Sequence, residues 1–348
     1  GGGGGGGGGI LEKFMTSRKE IRFALPSKGR LAEEALDLLS NAGLNVYKPN
    51  PRQYQASIPM LPGVSVLFQR AGDIAVSVHD GTVDFGITGW DVVAEKSANG
   101  EVLPLLKELG FGFCTLNVIV PESWENVHRV EDLREKQNQL NRPLRVATKF
   151  PAVTRQFFVK NNFDDAHLIS AEGTLEIAPT IGYSDLIVDL VSTGTTLQAN
   201  RLRLLDDGEI LTSQACMIAN RAALQSRPDV QTVARQLIEF IVAYLRAKEN
   251  LAVFANIRGE SPEAIAGHMF TQDVIGGLQG PTISPIVNNR AGDWYAVHIV
   301  VRKDQLPKAI AELRSIGGSG VVVTPVTYIF EEEPAAYTEM LKALKNDE

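Results

Sequence analysis

Cysteine is nearly absent from this chain, because only Cys114 and Cys216 occur among its 348 residues. Two cysteines cannot form a disulfide framework, and each is expected to be a small apolar core residue. No apolar run approaches the ~20 residues that a bilayer-spanning helix needs. An excess of basic residues is also missing, since the net charge is −7, which disfavours a nucleic-acid-binding protein. These absences predict a cytoplasmic protein without membrane or nucleic-acid partners.

The beginning of the chain carries little information about the fold. Residues 1–9 are glycine, and residues 1–20 as a whole are interpreted as an added tag or a disordered leader. The same stretch lacks the basic-then-apolar order of a secretory signal peptide. The remaining length predicts roughly two or three domains. The contents of 44% hydrophobic and 22% charged residues are ordinary for a globular protein.

Strand and helix patterns alternate from residue 21 to about residue 250, which is typical of α/β domains. Apolar strand patterns occur at 21–25, 64–68, 83–87, 113–120, 145–148, 167–171 and 186–191. Helical patterns occur after residue 30 and at 70–78, 90–96, 151–161 and 230–245. We assign a first domain to residues 21–116 and 208–250 and a second to 117–207. The short run 209–220 is expected to return to the first domain, because it cannot form another one.

The pattern changes after residue 250. Strands predicted at 251–257, 282–287, 294–301 and 321–328 and helices at 262–269 and 304–316 give the order βαββαβ of a ferredoxin-like (ACT-like) domain. The second helix is expected to begin from Asp304 as its N-cap and to end before Gly317. We assign this domain to 251–331. The tail at 332–348 is expected to form an acidic turn and one short amphipathic helix.

One segment is chemically distinctive: an apolar strand that begins near Asp185 and leads into a hydroxyl-rich turn. The turn supplies four hydroxyl groups and one glycine from Ser192, Thr193, Gly194, Thr195 and Thr196. A glycine lets the backbone approach a phosphate closely, and the amides at the start of a following helix favour an anion. Asp189, just upstream, is placed to accept hydrogen bonds from ribose hydroxyls. On composition alone, a turn that only caps a helix explains the segment equally well.

Four ordered motifs over about 21–220 together resemble the ATP phosphoribosyltransferase family, which catalyses the first step of histidine biosynthesis. They are Leu25-Pro-Ser-Lys-Gly-Arg-Leu, Arg70-Ala-Gly-Asp-Ile followed by Asp84-Phe-Gly-Ile-Thr-Gly, Arg145-Val-Ala-Thr-Lys-Phe-Pro, and the stretch from Glu176 to Leu197. Further on, Gly280-Pro-Thr-Ile-Ser-Pro and Ile316-Gly-Gly-Ser-Gly resemble the regulatory domain of the long form of that family.

The resemblance implies a fold, a reaction and partners. The implied fold has two α/β domains resembling a type II periplasmic-binding-protein fold plus a C-terminal ferredoxin-like domain. The implied reaction transfers the 5-phosphoribosyl group from phosphoribosyl pyrophosphate to N1 of ATP and releases pyrophosphate, with Mg²⁺ as the expected cofactor. A homo-oligomer built on dimers and hexamers and feedback inhibition by histidine are also implied.

The resemblance further implies roles for individual residues. Ser192–Thr196 would bind the ribose 5-phosphate and Asp189 the ribose hydroxyls. Glu176 would face the ribose or its metal, so that Glu176 and Asp189 are the implied metal ligands. Lys28 and Arg30 would act as catalytic cations for pyrophosphate or the ATP phosphates. The other implied ATP contacts are Arg70, Asp73, Thr88, Gly89 and Lys149. The implied histidine contacts are Glu260, Leu278, Thr282 and Gly320.

Several alternatives stay open at this point. For Lys28 and Arg30 the alternative is a solvated helix start, and for Lys149 it is a surface lysine. For the C-terminal module it is a dimerisation domain without a ligand. For the whole chain the main rival is a two-domain solute-binding protein; a ligand-binding regulator is weaker, for lack of a DNA-binding module or basic face. The five histidines are scattered and are interpreted as surface or structural residues.

Overall fold

The computed structural model describes residues 18–97, 99–171, 173–276, 280–287 and 293–346. These residues fall into two compact units. The first comprises the chain up to Ser40, Leu44–Ala234 and the residues from Ala336 onward, and the second comprises Asn41–Gly43 and Arg235–Ala335. Within the described ranges, no helix is both long enough and apolar enough to cross a membrane.

The first unit contains two mixed sheets and their covering helices. Its strands are β1 (Ile21–Pro26), β2 (Gln55–Ser57), β3 (Val64–Gln69), β4 (Phe85–Gly89), β5 (Val102–Leu106), β6 (Cys114–Pro121), β7 (Arg145–Thr148), β8 (His167–Ser170), β9 (Leu186–Val191), β10 (Leu202–Ser213) and β11 (Ala215–Asn220). Its helices are α1 (Ala32–Asn41), α2 (Ala71–Asp80), α3 (Trp90–Lys96), α4 (Leu133–Leu140), α5 (Pro151–Lys160), α6 (Thr195–Ala199) and α7 (Arg221–Ser226). Helix α8 (Pro228–Lys248) begins in this unit and continues into the second.

The first sheet has the strand order β2-β3-β1-β4-β11-β5. Strand β1 is parallel to β3 and β4, and β11 lies antiparallel between β4 and β5. Strands β4 and β11 are buried along their whole lengths, as expected for strands covered on both faces. Strand β11 thus comes late in the chain and completes the sheet that β1–β5 begin. The first domain, which the chain enters twice, requires such a return.

The second sheet has the strand order β10-β6-β9-β7-β8, in which β9, β7 and β8 are parallel. The expectation for residues 209–220 holds only in part. Strand β11 joins the first sheet, but Glu209–Ser213 belong to β10 and pair with β6 in the second sheet. Strand β10 lies at an edge and its register shifts at Glu209, so its apolar residues do not alternate regularly and the strand was not predicted.

The amino edge of the second sheet carries a buried carboxylate. Asp185, just before β9, accepts two hydrogen bonds from the guanidinium of Arg142 at 2.6 and 2.7 Å and one from the amide of Arg145 at 2.8 Å. A guanidinium nitrogen of Arg145 lies 3.3 Å away. Burial raises the pKa of Asp185, but the hydrogen bonds from the two arginines outweigh it and lower the pKa to about 2. These contacts fix the chain before both β7 and β9.

The second unit has the predicted βαββαβ order. Its elements are β12 (Asn250–Arg258), α9 (Pro262–Phe270), β13 (Thr282–Pro285), β14 (Trp294–Arg302), α10 (Leu306–Ser315) and β15 (Ser319–Pro325). The strands form an antiparallel sheet in the order β13-β14-β12-β15. Side chains of both helices pack with the sheet in one core. Helix α11 (Ala335–Lys345) follows, and the part from Ala336 onward groups with the first unit.

The N-cap predicted for the second helix of this unit is wrong. Asp304 lies within a 3₁₀ turn at Lys303–Gln305, and Gln305 is the residue that precedes α10. The carboxylate of Asp304 pairs instead with Arg302 at 3.2 Å, so it is not available to cap the helix. The predicted stop is confirmed, because α10 ends at Ser315 and Gly317 has a left-handed φ of +91°.

Candidate active site

The carboxyl ends of β1, β3 and β4 meet at one edge of the first sheet, because β1 is parallel to both neighbours. The amide of Ser27, just after β1, donates to the carbonyl of Gln69 at the end of β3 over 2.8 Å. Open α/β sheets bind their ligands outside this edge. The residues that the sequence assigned to ATP or pyrophosphate in this half all lie at or just beyond it: Lys28, Arg30, Arg70, Asp73, Thr88 and Gly89.

Arg30 is anchored at this edge by groups of the protein. One terminal nitrogen of its guanidinium donates to the carbonyl of Gly112, and the other donates to the carboxylate of Asp91 over 3.3 Å. The Asp91 carboxylate also accepts a 2.7 Å hydrogen bond from the Ser213 hydroxyl, which accepts in turn from the Asp91 amide at 2.9 Å. Asp91 was missed in the sequence, because an aspartate in the first turn of a helix usually serves only to favour the helix dipole.

Thr88 and Gly89 have structural reasons for their identity. Thr88 is fully buried, and its hydroxyl donates to the carbonyl of Ala71 at the start of α2 over 2.9 Å. Gly89 has an ordinary φ of −77°, but a Cβ atom there would lie 2.3 Å from the Asp91 carboxylate. Arg70 and Asp73 are exposed at the beginning of α2. Contact of any of these residues with ATP stays a prediction.

The carboxyl edge of the second sheet brings together Lys149, Glu176 and Asp189. Strands β7 and β9 are parallel with Thr148 opposite Val188, so the next residues, Lys149 and Asp189, lie side by side. The Asp189 carboxylate accepts a 2.8 Å hydrogen bond from the amide of Leu190. Burial raises the pKa of Asp189 and the negative charge of Glu176 raises it further, against the opposing effects of that hydrogen bond and of Lys149. Perturbed carboxylates of this kind are typical of functional sites.

The hydroxyl-rich turn Ser192–Thr196 follows β9 directly at the same edge. Its four hydroxyl-bearing residues are exposed, and the hydroxyls of Thr193 and Thr195 are 3.2 Å apart. Gly194 has a left-handed φ of +76°, which glycine adopts without steric cost. The following helix α6 has only five residues, too short for a strong dipole, so hydroxyls and backbone amides are the main groups that the turn offers an anion.

The donor set at this edge fits a magnesium ion that arrives with its substrate. Among the described residues, no three His, Cys, Asp or Glu side chains lie close enough to form a metal site. Glu176 and Asp189 form only a pair, and Mg²⁺ is commonly held by one or two carboxylates together with substrate phosphate oxygens.

A further carboxylate, that of Glu95 on α3, bridges between the elements of the two sheets. Its two oxygens accept hydrogen bonds from the amides of Ala152 and Val153 at 2.8 and 3.0 Å. These amides belong to the first turn of α5, which begins two residues after Lys149. Helix α3 begins at the edge of the first sheet and α5 at the edge of the second, so this contact ties the last turn of α3 to the first turn of α5.

The predicted histidine contacts are spread over the second unit. Thr282 lies on β13 and Gly320 on β15, which are the two opposite edge strands of the four-stranded sheet. Three strand spacings separate them, which is about 14 Å. Glu260 follows β12 and lines a cavity of about 570 Å³, whereas Thr282 lines another of about 1230 Å³. Leu278 lies outside the described residues.

Comparison with known proteins gives consistent matches over most of the chain. The family model described as HisG, ATP phosphoribosyltransferase, matches residues 70–243, and the one described as HisG, C-terminal domain, matches 247–328. ATP phosphoribosyltransferase 2, chloroplastic, of Arabidopsis thaliana is 41% identical over 338 residues, or 95% of this chain and 82% of that protein. The ATP phosphoribosyltransferase of Methanocaldococcus jannaschii is 34% identical over 309 residues, or 89% of this chain and 99% of that protein.

A solved structure matches as well. The ATP phosphoribosyl transferase (HisG:HisZ) complex from Thermotoga maritima aligns with a TM-score of 0.50 at 25% identity, covering 64% of this chain and 98% of that one. The predicted fold class of α/β sheets followed by a C-terminal ferredoxin-like βαββαβ domain is confirmed. The chain belongs to the ATP phosphoribosyltransferase family, the transferases of the first step of histidine biosynthesis.

Proposed function

We propose that the chain transfers the 5-phosphoribosyl group of phosphoribosyl pyrophosphate to N1 of ATP and releases pyrophosphate. The observation that carries the proposal is the pairing of two neighbouring sheet edges with different chemistry. The first edge presents the cations Lys28, Arg30 and Arg70, and the second presents the carboxylates of Glu176 and Asp189 beside the hydroxyl-rich turn.

The second edge supplies the ribose half of the proposed site. Ser192–Thr196 bind the 5-phosphate through hydroxyl groups and backbone amides, with Gly194 allowing close approach. Asp189 accepts hydrogen bonds from the ribose hydroxyls, and a partly buried carboxylate with a raised pKa gains from such donors. Glu176 lies on the same side of the ribose, and Lys149 reaches phosphate oxygens from the end of β7.

The first edge supplies the cationic half. Lys28 and Arg30 bind pyrophosphate or the ATP phosphates, and Arg70, Asp73, Thr88 and Gly89 lie on the nucleotide side. Neutral adenine N1 carries a free lone pair, so attack on the anomeric carbon needs no general base. Positioning and compensation of the charge on departing pyrophosphate are the main catalytic demands. Mg²⁺, held by Glu176 and Asp189 with substrate oxygens, would neutralise part of that charge when bound.

A turnover assay tests the proposal. The purified full-length chain with ATP, Mg²⁺ and phosphoribosyl pyrophosphate is expected to form phosphoribosyl-ATP and pyrophosphate in equal amounts. The rival solute-binding role predicts tight binding of a small molecule without turnover. Absence of product at saturating concentrations of both substrates would refute the transferase reaction for this chain.

A substitution in the hydroxyl-rich turn tests the assignment of its ligand. Thr195→Val removes one hydroxyl and keeps the size of the side chain, so the KM for phosphoribosyl pyrophosphate is expected to rise about tenfold while that for ATP changes little. Steady-state kinetics with each substrate varied in turn measures both. An equal loss for the two substrates would show that the turn does not bind the ribose 5-phosphate specifically.

We propose in addition that histidine inhibits the enzyme through the second unit. Thr282 and Gly320 lie on opposite edge strands, about 14 Å apart by strand spacing, so in this proposal they contact histidine from two different copies of the chain. The proposal therefore includes the homo-oligomer of dimers and hexamers that the resemblance implies. The Thermotoga maritima protein is in a complex with HisZ, whereas this chain carries its own C-terminal domain, so we propose no separate regulatory subunit.

Rates measured with and without histidine test the regulatory proposal. Micromolar to millimolar histidine is expected to suppress turnover, and Thr282→Val is expected to weaken that inhibition without changing the uninhibited rate. Insensitivity of the wild type to histidine would overturn the regulatory role and leave the transferase proposal intact.

The cytoplasmic location stays a prediction, and the matched Arabidopsis thaliana protein is chloroplastic by name.

A further inference from the structure

We propose that Asp91 is a positioning residue for Arg30, which it holds in the orientation that binds phosphate oxygens. The inference rests on the proposed role of Arg30 at the first sheet edge. Asp91 is only 2% exposed, in the first turn of the seven-residue helix α3. Burying an ionised carboxylate is costly unless it is paired and hydrogen-bonded. Asp91 is paired with Arg30 and hydrogen-bonded to Ser213, and these contacts offset the cost of its burial. The same contacts hold Arg30 and Ser213 in fixed positions.

The carboxylate of Asp91 is itself held on several sides. Ser213, which is 1% exposed, donates to it at 2.7 Å and accepts from the Asp91 amide at 2.9 Å. Any Cβ atom at residue 89 would lie 2.3 Å from the same carboxylate oxygen and 3.3 Å from Arg30, so the pair needs a glycine beside it. The carboxylate is therefore a fixed acceptor, as a positioning group must be.

Arg30 keeps binding capacity on its other side. A guanidinium has five N–H donors in one plane. The contacts with Asp91 and the Gly112 carbonyl use one donor on each terminal nitrogen, which leaves three. Gly112 also packs closely, since a Cβ there would lie 2.3 Å from Leu31 and 3.0 Å from Arg30. A planar cation that is held by two protein acceptors, keeps three donors and is 41% exposed is suited to binding phosphate oxygens.

A comparison within the same sheet distinguishes this pair from a purely structural one. At the amino edge, Asp84 is 1% exposed and pairs with Arg18 at 3.0 Å and Arg227 at 3.4 Å. Those arginine side chains are only 13% and 14% exposed, and each also donates to a backbone carbonyl, that of Gly81 for Arg18 and that of Glu20 for Arg227. The Arg30 side chain is 41% exposed although its carboxylate partner is as deeply buried as Asp84. Asp91 therefore presents a cation to solvent, and Asp84 does not.

The test compares Asp91→Asn, Arg30→Gln and the double variant, with Asp84→Asn as the matched control. Calorimetric titration with Mg²⁺–pyrophosphate and with Mg²⁺–ATP measures binding without turnover, and thermal unfolding measures stability. Arg30→Gln is expected to lower the affinity for one of these two ligands roughly ten- to a hundredfold. Asp91→Asn is expected to lower the affinity for the same ligand roughly tenfold. The double variant is expected to bind that ligand no more weakly than Arg30→Gln alone. Asp84→Asn is expected to lower the unfolding temperature, because the buried guanidiniums of Arg18 and Arg227 lose their counter-ion, and to leave both affinities unchanged.

Two results would overturn the inference. One is an Asp91→Asn protein that loses only thermal stability, as the Asp84→Asn control does. The other is full additivity of the two losses in the double variant, because residues that act through each other are not additive. A wild type that binds both ligands but forms no phosphoribosyl-ATP would refute the proposed reaction. The affinities of the variants would then still decide whether Asp91 positions Arg30. A wild type that binds neither ligand would refute both.

Discussion

Two aspartates towards opposite ends of β9 differ in their hydrogen-bond partners and in the direction in which their pKa is shifted. Asp185, at the amino end, is bonded to two arginines, and its pKa is lowered to about 2. Asp189, towards the carboxyl end, is half-buried near Glu176, and its pKa is raised. The first carboxylate stabilises the fold in its ionised form. The second costs stability when ionised, and such a cost persists where a ligand or a metal compensates for it.

The difference follows from the partners that each end of the strand meets. At the amino edge the chain enters β7 and β9 beside Arg142 and Arg145, whose hydrogen bonds fully satisfy the carboxylate. At the carboxyl edge the neighbouring cation is the exposed Lys149, and the hydroxyl-rich turn follows. The carboxylate at the amino edge thus has all its hydrogen-bond partners within the protein. The carboxylate at the carboxyl edge can still accept hydrogen bonds from a substrate.

The largest expected effect is that of Asp189→Asn on activity. We expect kcat/KM for phosphoribosyl pyrophosphate to fall about a hundredfold, because a charged acceptor for the ribose hydroxyls is lost. The free energy of unfolding at pH 7 is expected to stay the same or to rise, since the raised pKa means that the ionised form is disfavoured in the folded state. Steady-state kinetics and denaturant unfolding measure the two. A protein that loses stability and keeps its activity would reverse the comparison.

Asp185→Asn is expected to have the opposite effects. The lowered pKa corresponds to about 2 kcal/mol of stabilisation at neutral pH, which the neutral amide loses. The KM values for both substrates are expected to remain unchanged, because Asp185 lies at the far end of the strand from the proposed site. Urea unfolding of this variant beside Asp189→Asn provides the measurement. A large rise in KM with unchanged stability would show that the amino edge belongs to the site.

The stabilisation by Asp185 has a defined pH window. Its pKa is lowered in the folded protein, so the contribution is fully present above the unfolded-state pKa of about 4 and is lost as the pH falls towards 2. The wild type is therefore expected to lose stability relative to Asp185→Asn between these two values. Unfolding free energies of both proteins over pH 2–6 test this. Parallel curves across the window would contradict the pairing with the two arginines.

The smallest effect is expected for Glu95→Gln. This substitution tests whether the role of a carboxylate depends on its hydrogen-bond partners or on its position at the carboxyl edge of a sheet. Glu95 lies near the carboxyl edges, but its oxygens already accept from the amides of Ala152 and Val153. We expect a loss of about 1 kcal/mol of stability, as for a helix cap, and little change in kcat. Glu108→Gln on the exposed surface is the control. A hundredfold loss of kcat in Glu95→Gln would mean that position at the edge outweighs the partners.

Features that depend on nearby residues were predictable from the sequence. The strands predicted at 145–148 and 186–191 agree with β7 and β9, and the turn predicted after the second strand is present at Ser192–Thr196. The βαββαβ order of the second unit was predicted as well. Each of these rests on apolar periodicity or on turn residues within a few positions of one another.

Features that depend on distant pairs or on weak patterns were not predictable. Arg30 and Asp91 are 61 residues apart in the chain, and Glu95 meets the amide of a residue 57 positions later. Helix α4 was missed because Leu133–Leu140 is almost entirely polar and buries only Leu133, so no amphipathic pattern marks it. For the same reason the sequence could indicate Arg30 as a cation but not the carboxylate that orients it.

The packing around Gly89 also determines which mutations the protein can accumulate. In a library of all single substitutions, every variant at Gly89 places a Cβ atom where the Asp91 carboxylate now lies, so such variants are expected to be depleted. Gly267, inside α9, has no atom within 4 Å of an added Cβ, so alanine is expected to be tolerated there or even enriched. The contrast between these two glycines would appear in sequencing counts before any enzyme is purified.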